Sequence, residues 1–166
     1  MGRAIGEYDG PLREILHALK YHGRRSIARE LSAMMRAQGK PVLTGADVVV
    51  PVPLHWRRRW RRGFNQAADL ARGLGLPMVQ ALARCRNTPS QTDLPAGLRR
   101  ANVRRAFRMK RRARLDGACV VLVDDVSTTG ATLEACARVV AEAGAREVRT
   151  LTAARVVTRP LRAHPR

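Results

Sequence analysis

Hydrophobic positions recur along this chain with two different spacings, and the alternation between them predicts the fold. Helical spacing comes first. After the Asp9 Gly10 Pro11 turn, Leu12, Ile15, Leu16 and Leu19 form one stripe, with Pro11 suited to the first helical position and Gly23 as a stop. Ile27, Leu31, Met34 and Met35 form a second stripe, opened by Ser26 as a cap and closed by Gly39. Continuous apolar runs follow. Val48, Val49 and Val50, within residues 47–53, read as a central strand covered on both faces. A helix over 66–74 stopped at Gly75, a strand near 78–82, a short helix near 98–105 and a strand near 106–109 come next. Val120, Val121, Leu122 and Val123 give a second fully buried strand. A helix over 131–143 then carries Leu133, Ala137, Val140 and Ala141, Gly144 ends it, and 147–157 supplies a final strand or two. Strands alternating with helices predict an α/β fold with a mostly parallel central sheet flanked by helices. The expected organisation is an N-terminal helical segment over 1–44 packed on a core of 45–158, with a frayed tail over 159–166.

The second buried strand delivers two carboxylates, Asp124 and Asp125, into the small, hydroxyl-rich turn Val126 Ser127 Thr128 Thr129 Gly130 Ala131 Thr132. In parallel sheets ligands bind at the carboxyl edge of the strands, and the backbone N–H groups opening a helix hold phosphate. Two acids beside a phosphate would repel it, so they suit neutral hydroxyls or a divalent cation. A ribose diol on one side and a 5′-phosphate on the other satisfy both halves. Three other readings compete. A Walker B strand also ends in acids, but the chain has no G-x-x-x-x-G-K-[ST] partner. A phospho-acceptor receiver domain would carry its acidic pair near its start and a lysine later, whereas no lysine follows Lys110. The plainest alternative is a buried strand ending in a capped turn, with Asp125 as the N-cap.

This run resembles the phosphoribosyl-pyrophosphate (PRPP) signature of the type I phosphoribosyltransferases. That resemblance implies that Asp124 and Asp125 contact the ribose hydroxyls, with Mg²⁺ held through the ligand, and that Ser127, Thr128, Thr129, Gly130, Ala131 and Thr132 wrap the 5′-phosphate.

A second constellation, Pro51 Val52 Pro53 Leu54 His55 Trp56 Arg57 Arg58 Arg59 Trp60 Arg61 Arg62 Gly63 Phe64 Asn65 Gln66, follows the first central strand and should emerge at the same sheet edge. Pro53 sets a rigid corner or a cis bond, Gly63 allows a tight turn, and arginine forks pair bidentately with phosphate. The pattern resembles the ComF (ComF/GntX) family of phosphoribosyltransferase-like proteins. The likeness extends upstream to Leu19 Lys20 Tyr21 His22 Gly23 and downstream through Gln91, Arg99, Asn102, Val103 and Phe107, covering about residues 8–159. It implies the type I phosphoribosyltransferase fold with a small N-terminal helical and hood region. Pro53, Leu54, His55, Arg57, Arg62 and Gly63 would then form the pyrophosphate loop, and residues 84–105, with Gln91, Arg99 and Arg100, the hood loop. ComF-like proteins often begin with a zinc ribbon of paired CxxC motifs, and this sequence has none. Either the ribbon was lost or Met1 is an internal start.

Composition narrows the classes further. At 166 residues the chain suits one domain, and 45% hydrophobic with 4% aromatic residues gives an aliphatic core. No apolar run approaches membrane-spanning length and the N-terminus lacks a signal-peptide core, so a cytoplasmic protein with no membrane partner is expected. Cys85, Cys119 and Cys136 are too widely spaced for a disulfide framework or a zinc ribbon, and His17 and His22 offer no metal spacing, so no protein zinc site is assigned. The net charge of +19 is almost wholly arginine, with Lys20, Lys40 and Lys110 the only lysines. Such a field attracts polyanions, and charge alone does not choose between pyrophosphate and nucleic acid. The expected function is therefore binding of PRPP or a ribose 5-phosphate ligand with Mg²⁺, with phosphoribosyl transfer to a nitrogen acceptor. The resemblance to competence proteins implies the alternative, an accessory DNA-uptake protein that binds single-stranded DNA or a helicase. Trp56 and Trp60 among the arginines could stack bases, or bury against the next helix.

Overall fold

The computed structural model describes residues 1–21, 25–54, 63–85 and 106–157. In chain order the elements are β1 (Gly2–Glu7), α1 (Gly10–Tyr21), α2 (Arg25–Gln38), α3 (Lys40–Leu43), β2 (Val48–Pro51), α4 (Gln66–Arg72), β3 (Leu82–Arg84), β4 (Phe107–Met109), β5 (Cys119–Ser127), α5 (Ala131–Glu142) and β6 (Glu147–Arg155). Four strands form one sheet in the order β1-β6-β5-β2, every pairing parallel. A single parallel bridge between Val49 and Met78 adds residues 77–79 beside β2. β3 and β4 form a separate antiparallel pair.

Apolar runs become central strands because both faces of the sheet are covered. On β5, Cys119, Val121 and Val123 join the core shared with Leu16, Leu19, Leu31, Met35 and Leu70 of α1, α2 and α4. Val120 and Leu122 point the other way, into the core shared with Leu133, Cys136 and Val140 of α5 and Phe107 of β4. This is the α/β sheet flanked by helices that the alternation predicts.

Several local expectations needed correction. β1 was not anticipated: it lies outside the helical pattern and adds an edge strand against β6. In α1, Ile15 is 40% exposed, and in α2, Met34 is 50% exposed. The buried apolar positions there are Leu16 and Leu19, and Ala28, Leu31 and Met35, so Ile15 and Met34, each beside a buried residue, are turned about 100° off the stripe. On α5 the buried line runs through Leu133, Cys136 and Val140, with Ala141 outside it. α2 begins at Arg25, so Ser26 lies inside the helix, and α4 ends at Arg72 with Gly73 as its cap. The expected strand near 78–82 is instead the bridge at Met78 followed by β3. A single strand, β6, occupies the region expected to hold a strand or two. Gly23, the short helix expected over 98–105 and the tail from 159 fall outside the described residues.

The amino edge of the sheet is closed by ion pairs and long-range hydrogen bonds. Arg149 donates from Nε and Nη2 to Glu147 (2.8 and 2.7 Å) and from Nη1 to the Val42 and Thr44 carbonyls (3.2 and 2.7 Å). Asp47 accepts from the Cys119 N–H at 2.7 Å and pairs with Arg146 at 3.6 Å. The Arg149 hydrogen bond, assisted by Cys119, holds the Glu147 carboxyl down at about 2. Burial pushes the Cys119 thiol up, and its bond to Glu147 adds to this.

Candidate functional site

The opposite, carboxyl edge carries Asp124, Asp125 and the loop after them, and Pro53, Leu54 and Gly63. From β2 the chain passes through α4 to residues 77–79 on one side; from β5 it passes through α5 to β6 on the other. Departure in opposite directions, with α4 and α5 on opposite faces, makes the β2/β5 boundary a topological switch point, where a crevice opens beyond the strand ends. β2 ends at Pro51, opposite Val123, and the Val52 N–H reaches the Val123 carbonyl at 2.9 Å. β5 continues to Ser127, paired only with β6 over that stretch. Asp124 and Asp125 therefore lie within a strand rather than past its end, with their β2 side beyond the last pairing. The Asp124 carboxylate accepts from the Asp125 N–H (2.9 Å) and that of Asp125 from the Val126 N–H (2.8 Å), local bonds within β5.

Gly130, at φ 75°, is the N-cap of α5 and carries no side-chain cap, so Asp125 is not the cap of this helix. The left-handed backbone admits glycine at little cost and turns the chain so that the first amides of α5 open towards the loop. Asp124, Val126, Ser127, Thr128, Gly130, Ala131, Thr132 and Leu133 enclose a hollow of about 20 Å³. That is room for one water-sized group, so a phosphate would engage the loop through its oxygens. Asp125 and Thr129 do not line the hollow. Behind it, Cys136 is fully buried; burial drives its thiol pKa up, the Asp124 charge adds to this, and Arg84 opposes it. Asp124 and Arg84 thus act on one buried atom from the α5 side of the sheet.

Of the residues expected in the second loop, Pro53, Leu54 and Gly63 line a cavity of about 700 Å³, with Phe64, Asn65, Arg84 and Lys110 among the other walls. No cis peptide bond occurs among the described residues, so Pro53 makes its corner in the trans form. Gly63 takes φ 74°, the left-handed turn its place before α4 requires. His55, Arg57 and Arg62, with Arg58, Arg59, Arg61, Trp56 and Trp60, fall outside the described residues, as do Gln91, Arg99 and Arg100 of the expected hood loop.

Asn65 and Gln66 stand in the second constellation and residue 84 opens the expected hood loop, but the sequence gives none of the three a role of its own, and Arg84 ends β3 instead of starting a loop. Asn65 caps α4, its Oδ1 accepting from the Ala67 N–H at 3.2 Å, and its Nδ2 donates to the Val52 carbonyl at 3.1 Å. An asparagine immediately before a helical pattern is a readable capping signal. Gln66 is only 2% exposed and its Nε2 has no hydrogen-bond partner among the described residues. Arg84 lies over the Phe107 ring, 5.4 Å from its centroid.

Among the described residues, the donor set beside Asp124 and Asp125 is carboxylate and hydroxyl, without imidazole or thiolate. Among the described residues no group of three or more His, Cys, Asp or Glu side chains could hold a metal ion. Mg²⁺ characteristically binds through one or two carboxylates while substrate phosphates and water complete its shell, and this pair fits that role. No helix among the described residues is long and apolar enough to cross a membrane.

Comparison with known proteins adds family evidence. The phosphoribosyl transferase domain model matches residues 14–163. DNA utilization protein YhgH of Salmonella typhi is 37% identical over 158 residues, spanning 87% of this chain and 67% of that protein. Competence protein F of Haemophilus influenzae is 33% identical over 162 residues, 91% of this chain and 71% of its own. The solved structure of glutamine PRPP amidotransferase from B. subtilis, complexed with ADP and GMP, shares 30% identity over 76% of this chain and 26% of its own, at a TM-score of 0.48.

Proposed function

The chain belongs to the phosphoribosyl transferase domain family, in the ComF group of competence and DNA-utilization proteins, and from that premise we propose that it binds PRPP or a related ribose 5-phosphate ligand with Mg²⁺ at the carboxyl edge of β2 and β5. One observation carries the reading: β5 brings Asp124 and Asp125 to a switch-point crevice and passes at once into a loop curled round a hollow and ended by the left-handed Gly130. The acidic pair suits a ribose diol, and the loop amides with the helix N-terminus suit the 5′-phosphate. Mg²⁺, when bound, would neutralise diphosphate oxygens. Should the protein catalyse transfer, a nitrogen lone pair forms the new bond to the anomeric carbon while the C–O bond to pyrophosphate breaks. The leaving group departs with that electron pair, and the nitrogen loses its proton to solvent or to a base. Positioning and charge stabilisation can supply most of the rate in such chemistry, so no protein nucleophile is required.

The test is thermal unfolding with PRPP and Mg²⁺. A ligand that binds only the native chain raises the melting temperature once its concentration greatly exceeds the dissociation constant. An unchanged melting curve at millimolar PRPP would count against the site.

The names of the relatives favour a second reading, an accessory role in DNA uptake or utilization through single-stranded DNA or a helicase partner. It predicts oligonucleotide affinity falling steeply with salt, with a log–log slope of about −0.7 per phosphate contact. Anisotropy with a labelled oligonucleotide across a salt series, beside PRPP calorimetry, separates the two: tight DNA binding with no PRPP binding would overturn the first reading.

A further inference from the structure

The flank of the molecule beside α4 is hollow. The cavity of about 700 Å³ runs between α2 and α4 on one side and β3 with Lys110 on the other, within the range of about 300–1,000 Å³ usual for small-molecule sites. Among the described residues none of its walls comes from the 124–133 loop, so it is separate from the hollow at Gly130. Gly73 leaves no room for a Cβ against Ser32, so α2 and α4 touch there and close the floor.

The described walls set four cations, Arg29, Arg72, Arg84 and Lys110, against one carboxylate, Asp69. A concave surface dominated by one sign draws anions. Arg72 pairs with Asp69 Oδ1, whereas Oδ2 is buried and accepts no hydrogen bond among the described residues. A carboxylate oxygen withheld from water is costly until a donor reaches it. Arg29 and Lys110, both exposed, enter no ion pair among the described residues. A ligand that answers all of this carries anionic groups for the cations and a donor for Asp69, and Phe64 and Leu82 add apolar surface for a ring.

We propose that this cavity is a second binding site, for a nucleotide, with an N–H of the base on Asp69 Oδ2 and the phosphate on the cationic wall that includes Arg29 and Lys110. The site does not depend on the reading of the Asp124 edge. A free nucleotide and one unit of a single strand present the same base and phosphate, and the experiment separates the two sources.

The full-length protein is titrated by calorimetry with AMP, GMP, CMP and UMP and with a mixed-sequence single-stranded oligodeoxynucleotide, and hydrogen exchange is followed in peptides covering 25–36 and 66–75. At least one of these ligands should bind wild type and slow exchange in both peptides. Replacing Arg29 and Lys110 together with Ala should weaken that ligand about tenfold and leave the melting temperature near wild type, since both side chains are exposed. Asp69→Asn keeps an oxygen for Arg72 and turns its N–H₂ to where Oδ2 stood; a base N–H cannot reverse to accept, whereas a sugar hydroxyl can, so affinity should again fall about tenfold. Protection over 25–36 should persist when Asp124 and Asp125 are both Asn, whether or not PRPP binds the other edge. Oligonucleotide binding alone, with the same protection and the same losses, identifies the strand as the source. No protection over 25–36 by any of the five ligands, or binding that only the Asp124 and Asp125 changes abolish, would overturn the site.

Discussion

The two ends of the central sheet spend their polar groups in opposite ways. At the amino edge, Arg149 reaches back more than a hundred residues to the carbonyls of Val42 and Thr44, and Asp47 crosses to the Cys119 N–H. Those bonds join segments far apart in sequence and close the fold. At the carboxyl edge, the Asp124 and Asp125 carboxylates accept from the very next N–H, and Asn65 reaches Val52 across 13 residues. Those bonds act within the end of β5 and between the end of β2 and the start of α4. One edge is built to hold the chain together and the other to present groups. Damage should divide accordingly between stability and binding.

The largest expected effect lies at the presenting edge. Replacing Asp124 and Asp125 together with Asn should weaken PRPP–Mg²⁺ binding on the order of a hundredfold, two charge-assisted hydrogen bonds being lost, and should remove most of the ligand-induced rise in melting temperature. The unliganded melting temperature should stay close to wild type; a large drop would mean that the pair is structural and would break the contrast.

Gly130→Val should weaken phosphate binding about tenfold, because a β-branched residue disfavours φ 75° and the loop amides would be re-aimed. Thr129→Ala should do much less, since Thr129 does not line the hollow. Equal affinities for all three proteins, measured by calorimetry, would dissociate the loop from phosphate.

Arg149→Met tests the closing edge. It leaves the Val42 and Thr44 carbonyls and Glu147 without their shared donor, so the melting temperature should fall while affinity at the far edge is retained. Loss of binding in a protein that still melts cooperatively would show that the two ends are coupled.

A smaller, pH-dependent effect follows from the same cluster. The folded-state pKa of Glu147, about 2, lies below the ordinary 4.5, so its stabilising contribution is complete above about 4.5 and is lost as pH falls towards 2. Glu147→Gln should flatten that acid limb of the stability curve and leave neutral-pH binding unchanged. Smallest of all, Gln66→Leu should be neutral or slightly stabilising, since it removes a buried donor that has no hydrogen-bond partner among the described residues.

What the sequence disclosed depended on how local the signal was. The β5 strand and its acidic loop were legible because Val120 to Val123, the carboxylates and Gly130 stand in one uninterrupted run. β1 was not, because its six residues hold a single large aliphatic, Ile5, among glycines and charges, and its strand character comes from pairing with β6. Ile15 and Met34 were misplaced for a related reason: an apolar residue beside a buried one satisfies a loose helical count while facing water. At the site, the cap half of Asn65 could have been read from its place before α4, but its bond to Val52 spans 13 residues and only the folded chain makes it.

The strand order has a consequence for the history of the molecule as well as its shape. β6, last in sequence, sits between β1 and β5, so Gly2 faces Thr150 and Glu7 faces Arg155. During synthesis β1 has no neighbour among the described strands of this sheet until β6 has left the ribosome, and β2, which has only its bridge to Met78 beforehand, must wait for β5. Early segments thus wait with unpaired edges for late ones, which makes folding slow relative to helical proteins of this size and a nascent chain stalled before β6 prone to pair with the wrong partner.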